Sequence, residues 1–507
     1  MIRKLYQTNK EKLKRNLEGI PRPIVKGIIL AMILIEAVLA FLLISLNLLP
    51  IKYLVLVLAV MLAIDAGIIA LVLNNKGGKK RAYTGLIISL LVMIMLVPTS
   101  FYLYSTGDAL QKVSAMRDQW EDYHVIAMNA SAYEDLEDIK EQTVYGIKNV
   151  NKMNEEANER LITAADVEIK EVRDIMDQAA VIQDKKGKLN DKLIFTSQTY
   201  YEMQCEEIEG FEKNTKIIYT MQVMKKSDRH SKKVNVTEDP FNVYITGLDT
   251  WGSIDKVSRS DVNMIMTINP QTREILLTSI PRDAYVQLHS FGEMDKLTHS
   301  GIYGVDETID TVQDWLGINV DYYVKVNFSM LVRLIDATGD IDVYSDEEFD
   351  SAVSKYHYDK GWNKMHGKKA LYFARERKSF EKGDAARIKN QQKVVEALIK
   401  KMTSSRVLLT KYPDILEAIS ENMTTNMSRR DISKLVRMQL KDMDTRWTIK
   451  KTAVECTEDN LGTYSMGMGR PLYVNVPKEE SVEKVRKQIH DVMYPVEAVE
   501  ETEPLLP

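Results

Sequence analysis

The chain has 507 residues, enough for two or three domains, and its formal net charge at pH 7 is only −4. It contains two cysteines, Cys205 and Cys456, which excludes a disulfide-rich scaffold and a cysteine-rich zinc site. The two thiols could form a single bridge, but we expect two unreactive thiols.

Three apolar stretches lie near the N-terminus, at residues 28–49, 53–73 and 83–104. Each has about 20 residues, the length that crosses a bilayer core. A cleaved signal peptide would have one shorter apolar core, and the remaining alternative is three buried core helices. We predict three transmembrane helices. The acids Glu36 and Asp65 lie within them, either for a function or facing one another or a partner helix.

Basic residues predict the orientation of these spans. They are concentrated in residues 1–27 and in the loop at residues 74–81, whereas the loop between the first two spans has only Lys52. By the positive-inside rule, the N-terminus and the second loop are cytoplasmic. We therefore predict a multi-pass protein of the cell membrane whose chain after residue 104 is extracellular.

Residues 105–232 are polar and acidic and carry no catalytic constellation, so we predict a small α/β accessory domain there. Strands are expected at residues 122–127 and 216–221, and helices at residues 137–143, 153–162 and 167–180. Residues 225–240 form a basic linker.

Residues 241–493 alternate between apolar strand patterns and helical patterns, which predicts an α/β/α sandwich with a central mixed sheet. Residues 494–507 are acidic and contain proline, so we expect a disordered tail. The predicted strands are residues 241–247, 262–269, 273–280, 322–326, 341–344, 446–453 and 472–476. The predicted helices are residues 307–315, 330–337, 368–373, 384–402, 406–420, 430–440 and 482–492.

Two aspartates flank the first strands of this domain. Asp249 follows the strand at residues 241–247, and Asp261 precedes the next strand, in Arg259-Ser260-Asp261. Loops at strand ends are where α/β folds bind ligands, and two carboxylates are common ligands of Mg²⁺ beside a substrate phosphate. Alternatively, Asp249 caps a turn and Asp261 pairs with Arg259.

Two further stretches place arginine beside acids. Arg282 and Asp283 follow Pro281 at a strand end, where proline stops the ladder and frees Arg282 to point into a crevice. Arginine binds phosphate oxygens bidentately, and helix N-termini favour phosphate. In the other stretch, Arg375 and Arg377 are followed by Asp384, a possible N-cap, and then by Arg387 and Gln391 on the same helical face as Asp384. Alternatively, a surface salt-bridge network explains part of this pattern.

Together these residues resemble the LytR–CpsA–Psr family of cell-envelope proteins, over residues 241–402. Three spans and an extracellular accessory domain are similar to its capsule-associated branch in Gram-positive cocci. Many members have arginine at the positions of Trp251 and Asn390. The resemblance is carried by Gly247-Leu248-Asp249-Thr250, Arg259-Ser260-Asp261, Ser279-Ile280-Pro281-Arg282-Asp283, Asp321-Tyr322-Tyr323-Val324, Gly367 with Ala370-Leu371, Arg375-Glu376-Arg377, and Asp384 through Gln392.

The resemblance implies a glycopolymer transferase. Such an enzyme moves a phosphate-linked glycan, here a capsular polysaccharide, from a polyprenyl-pyrophosphate carrier to peptidoglycan, and pyrophosphatase activity is expected in vitro. Mg²⁺, or Mn²⁺, would be held by Asp249 and Asp261. The phosphates would be bound by Arg259, Arg282, Arg375, Arg377 and Gln391, and catalysis would involve Arg282, Asp283, Asp384 and Arg387, with Asp283 or Asp384 as the general base.

A second hypothesis is a non-enzymatic surface regulator or scaffold that recruits capsule-assembly membrane proteins. Nucleic acid is not an expected partner, because the helical accessory region is acidic and predicted to lie outside the cell. His299 and His366 are the histidines that we would test for catalysis, although each is more often structural.

Overall fold

The computed structural model describes residues 22–73, 78–114, 117–148, 151–182, 192–226, 233–248, 251–381, 383–442 and 445–495. Asp249, most of the basic N-terminal tail and nearly all of the predicted acidic tail lie outside these residues. The chain divides into two compact units. The membrane unit is Met1–Val113 with Met402–Ser420 and Arg429–Thr445, and the α/β unit is Ser114–Lys401 with Glu421–Ser428 and Arg446–Pro507.

Among the described residues, the helices of four or more residues are α1 Arg22–Leu46, α2 Ile51–Leu73, α3 Gly78–Val113, α4 Lys152–Ala165, α5 Ile175–Ile182, α6 Gln198–Glu207, α7 Phe211–Asn214, α8 Leu297–Ser300, α9 Val305–Leu316, α10 Phe328–Thr338, α11 Gly367–Arg375, α12 Gly383–Met402, α13 Ser405–Ser420, α14 Arg429–Lys441 and α15 Glu479–Met493.

The strands are β1 Gln119–Met128, β2 Thr143–Ile147, β3 Glu168–Val172, β4 Leu193–Ser197, β5 Thr215–Lys225, β6 Phe241–Gly247, β7 Val262–Asn269, β8 Glu274–Ile280, β9 Tyr285–Gln287, β10 Met294–Lys296, β11 Tyr322–Val326, β12 Ile341–Ser345, β13 Phe349–Asp350, β14 His357–Tyr358, β15 Gly361–Met365, β16 Met423–Thr425, β17 Thr448–Ala453, β18 Cys456–Thr463 and β19 Gly467–Pro477.

In the membrane unit, α1, α2 and α3 are long and apolar enough to cross a bilayer, as predicted. Helix α3 packs against both α1 and α2, and it continues nine residues beyond the predicted span, to Val113. The carboxyl groups of Glu36 on α1 and Asp65 on α2 lie close to one another, as the alternative to a functional role proposed.

Helices α13 and α14 lie in this membrane unit, although their sequences fall within the predicted domain at residues 241–493. Helix α13 packs along α3, and α14 packs against both. Tyr412, Val436 and Leu440 contribute, with leucines of α1 and residues of α3, to an apolar recess. Both helices are amphipathic, and their apolar faces are therefore turned toward the apolar ends of the spans.

The accessory region of the α/β unit is a five-stranded sheet in the order β3-β2-β4-β1-β5. The prediction of one helix at residues 167–180 is wrong, because this segment forms β3 followed by α5. Asp166 adopts a left-handed conformation that ends α4, and the Asp174 side chain accepts hydrogen bonds from the backbone N–H groups of Met176 and Asp177 at the start of α5. The predicted helix at residues 137–143 is a short 3-10 turn before β2.

The second part of the α/β unit is built on a six-stranded mixed sheet in the order β16-β11-β6-β7-β8-β17. Helices α9 and α15 cover one face, where Ile309, Val312, Val485 and Ile489 pack against sheet residues such as Tyr244. On α12, the Gln392 amide donates to backbone carbonyls of β8 and β17. The structure thus confirms the predicted α/β class and the mixed central sheet.

The hairpin formed by β18 and β19 is larger than the single predicted strand at residues 472–476. The backbone N–H of Asn475 donates to the carbonyl of Asp283 at 2.8 Å, and Tyr285 donates its phenol proton to the carbonyl of Gly462 at 2.9 Å. Residues 361–365 form β15, a strand that the sequence did not predict, and pair with β12. The hairpin is therefore held beside the chain that follows β8.

Candidate functional site

The strand register brings two of the three arginine–aspartate stretches together at one edge of the six-stranded sheet. Gly247 at the end of β6 pairs with Val262, and Asn263 pairs with Ile280 at the end of β8. Asp261 precedes β7 and Arg282 follows β8, so the two residues lie at the same edge of the sheet. The Arg282 Nη1 atom lies 2.7 Å from Asp261 Oδ1, so Asp261 pairs with Arg282 and the alternative pairing with Arg259 is wrong.

Arg282 lies among carboxylates. Its Nε atom is 3.4 Å from Asp283 Oδ2, and Lys296 Nζ is 3.4 Å from Asp283 Oδ1. Burial opposes the charge of Arg282, but Asp261 and Asp283 outweigh this effect and raise the pKa of its guanidinium. The site therefore keeps Arg282 charged at any physiological pH.

The third stretch follows on α12. Arg387 is buried, with its Nη2 atom 3.0 Å from Asp384 Oδ1, and Arg377 Nη1 lies 3.6 Å from the same oxygen. Burial lowers the pKa of Arg387, and Asp384 counteracts this effect. Helix α12 begins at Gly383, so Asp384 lies in its first turn and the N-cap prediction is wrong. A Cβ atom on Gly383 would lie 2.8 Å from the Arg377 carbonyl oxygen, so this approach needs glycine.

These residues surround a recess, here called the phosphate recess. Its polar lining is Asp261, Arg375, Arg377, Lys378, Arg387 and Gln391, and its apolar lining is Leu248, Val262, Phe328 and Val353. The Arg375 guanidinium lies 4.3 Å from the centre of the Phe328 ring, which orients it by a cation–π contact. Several guanidinium groups and an amide beside apolar side chains suit a phosphate that carries a hydrocarbon chain.

A second recess, here called the neighbouring recess, shares Arg377 and Lys378 with the first. It is also lined by Arg282, Asp283, Lys296, Gly383, Asp384 and Tyr473. Both candidate general bases therefore lie in the recess that adjoins the phosphate recess. Sequence reasoning did not single out Lys296, Lys378, Tyr473 or Phe328, because each comes from a segment whose position depends on tertiary packing.

Arg259 has a different environment from Arg282. Its Nη1 and Nη2 atoms each lie 2.6 Å from a carboxylate oxygen of Glu206 on α6 of the accessory region, and it lines neither recess. Its predicted part in phosphate binding stays a prediction, and the pairing with Glu206 does not favour it. His299 is buried with Nδ1 2.7 Å from Asp295 Oδ1, and the His366 ring packs edge-on against Tyr356.

Glu376 is a positioning residue that the sequence analysis quoted without a role. Glu376 lies in the sequence between Arg375 and Arg377, which both line the phosphate recess, and its side chain is buried. Burial alone would raise the pKa of Glu376, but the hydrogen bonds outweigh it and lower the pKa. The signal in the sequence was a single acid between Arg375 and Arg377. The carboxylate accepts hydrogen bonds from Ser351 Oγ and from the backbone N–H groups of Ala352, Arg377, Lys378 and Ser379.

Replacing Glu376 with glutamine is expected to lower the free energy of unfolding by about 2 kcal/mol at neutral pH, because charge-assisted hydrogen bonds are lost. Since the folded-state pKa is lowered, Glu376 stabilises the fold above its unfolded value near 4.5, and this contribution is lost as the pH falls through the folded value. The acid side of the pH–stability profile should therefore flatten in the variant. Thermal unfolding of the full chain in detergent at several pH values measures this, with the exposed Glu381→Gln as control. Equal profiles for the two variants would contradict the assignment.

Only one of the two predicted metal ligands lies among the described residues. Asp249 lies outside the described residues, whereas Asp261 provides a hard carboxylate oxygen at the phosphate recess. Within the described part of the chain, no group of three or more His, Cys, Asp or Glu side chains is placed to hold a metal. Asp261 supplies one suitable carboxylate oxygen. A cation bound there would need its other ligands from Asp249, water and substrate.

The fold and these recesses define an α/β domain with an arginine-rich anion site. The LytR_cpsA_psr family model matches residues 207–489, more than half of the chain, and the chain belongs to this family. Polyisoprenyl-teichoic acid–peptidoglycan teichoic acid transferase TagU of Bacillus licheniformis is 36% identical over 209 residues, 41% of this chain and 67% of that protein. TagU of Bacillus subtilis is 36% identical over 205 residues, 40% of this chain and 65% of that protein. The crystal structure of B. subtilis TagU is 30% identical with a TM-score of 0.39, covering 50% of this chain and 97% of that chain.

Proposed function

We propose that this protein is a membrane-anchored transferase that moves a phosphate-linked glycan from a polyprenyl-pyrophosphate carrier to peptidoglycan. The observation that carries the proposal is the meeting of Arg282, Arg375, Arg377 and Arg387 around two adjoining recesses. The names of the related TagU proteins support the donor and acceptor classes. The apolar helices support retention at the membrane where such carriers reside.

The reaction is a phosphoryl transfer. An acceptor hydroxyl oxygen forms a bond to the glycan-bearing phosphorus, and the bond from this phosphorus to the bridging oxygen breaks. Polyprenyl phosphate leaves with the electron pair, and the hydroxyl proton passes to a carboxylate. Charge builds on the leaving phosphate, where fixed guanidinium groups stabilise it without reorganisation.

Asp283 is the carboxylate that we assign as the proton acceptor. Its contacts to Arg282 and Lys296 are both 3.4 Å, longer than usual charged hydrogen bonds, so its lone pairs remain accessible to an acceptor hydroxyl. Asp384 instead has one oxygen 3.0 Å from Arg387 and the other buried from solvent. We assign Asp384 to holding Arg377 and Arg387 in place.

We also propose that Asp249 and Asp261 hold Mg²⁺, or Mn²⁺, which when bound neutralises part of the pyrophosphate charge. Removing divalent cations with a chelator is therefore expected to lower transfer at least about 100-fold, the scale of one lost electrostatic contribution to the transition state. Activity should return with Mg²⁺ or Mn²⁺. Transfer that continues unchanged in excess chelator would contradict the metal assignment and leave the arginine site standing.

For the glycan we propose a capsular polysaccharide, on the basis of the three spans and the accessory domain, although the relatives above are named for teichoic acid. We further propose that the N-terminus is cytoplasmic and the α/β unit extracellular, because basic residues are concentrated in the N-terminal tail and the second loop. Partners of this arrangement include capsule-assembly membrane proteins.

The proposal is tested with the full chain in lipid nanodiscs, given a short-glycan polyprenyl-pyrophosphate donor and peptidoglycan. Glycan bound to peptidoglycan and free polyprenyl phosphate are both expected, with slow donor hydrolysis when peptidoglycan is left out. The matched control carries Arg375→Ala and Arg377→Ala and should lose both products. Wild-type-level product from that control would contradict the proposal.

A further inference from the structure

The neighbouring recess has chemistry that phosphate binding alone does not require. It combines the exposed cation Lys378 and the partly buried Lys296 with the phenol ring of Tyr473, and Asp283 Oδ1 lies 3.4 Å from Lys296 Nζ. A lipid-linked pyrophosphate needs cations and an apolar path, and the phosphate recess supplies both. An aromatic ring beside cations and a carboxylate suits a sugar that carries negatively charged substituents.

Tyr473 is fixed relative to the reacting groups. It lies on β19, 41% exposed, and its hydroxyl donates to Asn475 Oδ1 at 3.2 Å. The backbone N–H of the same Asn475 donates to the carbonyl of Asp283 at 2.8 Å. These two hydrogen bonds, both made by Asn475, link the Tyr473 ring to Asp283, the residue that we assign as proton acceptor.

The shared lining also fits a two-substrate site. Because Arg377 and Lys378 line both recesses, an oxygen held in the neighbouring recess is close to a phosphorus held in the phosphate recess. Asp283 and Asp384 line the neighbouring recess and not the phosphate recess. A hydroxyl that loses its proton to Asp283 must therefore come from a ligand in the neighbouring recess.

We propose that the neighbouring recess binds the acceptor glycan strand, with a sugar ring against Tyr473 and its carboxylate substituents at Lys296 and Lys378. Peptidoglycan has this chemistry, because alternate sugars carry lactyl groups extended by acidic peptides. This assignment rests on the proposed transferase function and adds the place and the recognition of the second substrate. The hairpin formed by β18 and β19 is then a specificity element for the acceptor.

The test uses the full chain in nanodiscs and soluble, uncross-linked peptidoglycan strands as the acceptor. Tyr473→Ala is expected to raise the KM for the strands about tenfold, the scale of losing one aromatic contact residue, while the donor KM and the donor-only hydrolysis rate stay unchanged. Tyr473→Trp should restore most of the affinity. The matched control is Tyr344→Ala, since Tyr344 is 42% exposed on β12 and lines neither recess.

Binding of the strands, followed by saturation-transfer NMR without donor, gives a readout that does not depend on turnover. An unchanged strand KM in Tyr473→Ala, or an equal rise in the donor KM, would overturn the acceptor assignment. If the wild type neither transfers nor hydrolyses donor, the transferase function fails, and strand binding still decides the recess assignment. Wild-type binding that Tyr473→Ala weakens would support it, and equal or absent binding would overturn it.

Discussion

Arg282→Ala is expected to lower the kcat of glycan transfer about 1000-fold, the upper range for removing one charge-stabilising donor from an acyl- or phosphoryl-transfer site. Two effects add in this variant. The reacting phosphoryl group loses a half-buried guanidinium that pairs with Asp261 of the phosphate recess, and the carboxylates of Asp261 and Asp283 lose the cation that both of them contact. The two uncompensated carboxylates then also repel the anionic donor, which raises the donor KM. Initial rates over a range of donor concentrations, at saturating acceptor, measure kcat and the donor KM separately.

Arg259→Ala is the matched control for this prediction. Both arginines belong to an Arg–Asp stretch, but Arg259 pairs with Glu206 and lines neither recess. We expect kcat to change little and stability to fall by about 1 kcal/mol or less, since the pair is partly exposed. The account would be wrong at this point if the two substitutions lowered kcat equally, because the distinction between the two stretches would then have no basis.

Asp283→Asn is expected to lower kcat by about 100- to 10,000-fold, the usual contribution of a general base, with little change in the donor KM. Asparagine keeps the size of the side chain and its contact to Lys296 but cannot take up the proton. Steady-state kinetics over a range of donor concentrations measure both kcat and the donor KM.

Asp384→Asn provides the comparison. Its carboxylate holds Arg377 and Arg387, so the asparagine variant should raise the donor KM more than it lowers kcat. If the two variants behave in the opposite way, Asp384 is the proton acceptor and our assignment is reversed. Equal loss of kcat in both would indicate that the two acids act as one coupled unit.

The sequence predicted the central sheet closely, and the reason is local. β6, β7 and β11 are buried apolar runs bounded by turn residues, and their bounds agree with the prediction residue for residue. In the accessory region, the sequence did not predict β2 and β3. These two short strands pair with each other in the sheet, but their sequences lack a repeating apolar pattern. Their pairing is set by tertiary contacts that no local window contains.

The sequence predicted most residues of the site, but it did not predict which of them lie together and which pair with residues elsewhere. Asp384, Arg387 and Gln391 on one helical face follow from spacing alone. Arg259 and Arg282 looked alike because each stands near an aspartate at a strand end. Glu206, which distinguishes them, lies 53 residues from Arg259 along the chain. Tyr473 joins the site through tertiary contacts of its hairpin, such as the hydrogen bond between Asn475 and Asp283.

The central claim is that the phosphorus next to the glycan moves with it. The most direct measurement supplies the full chain in nanodiscs with a donor radiolabelled at the glycan-proximal phosphate, and follows the label after reaction with peptidoglycan. Our account predicts label on the peptidoglycan together with unlabelled polyprenyl phosphate. Label that stays entirely with the lipid, as polyprenyl pyrophosphate, would indicate transfer of the sugar alone and would contradict the account.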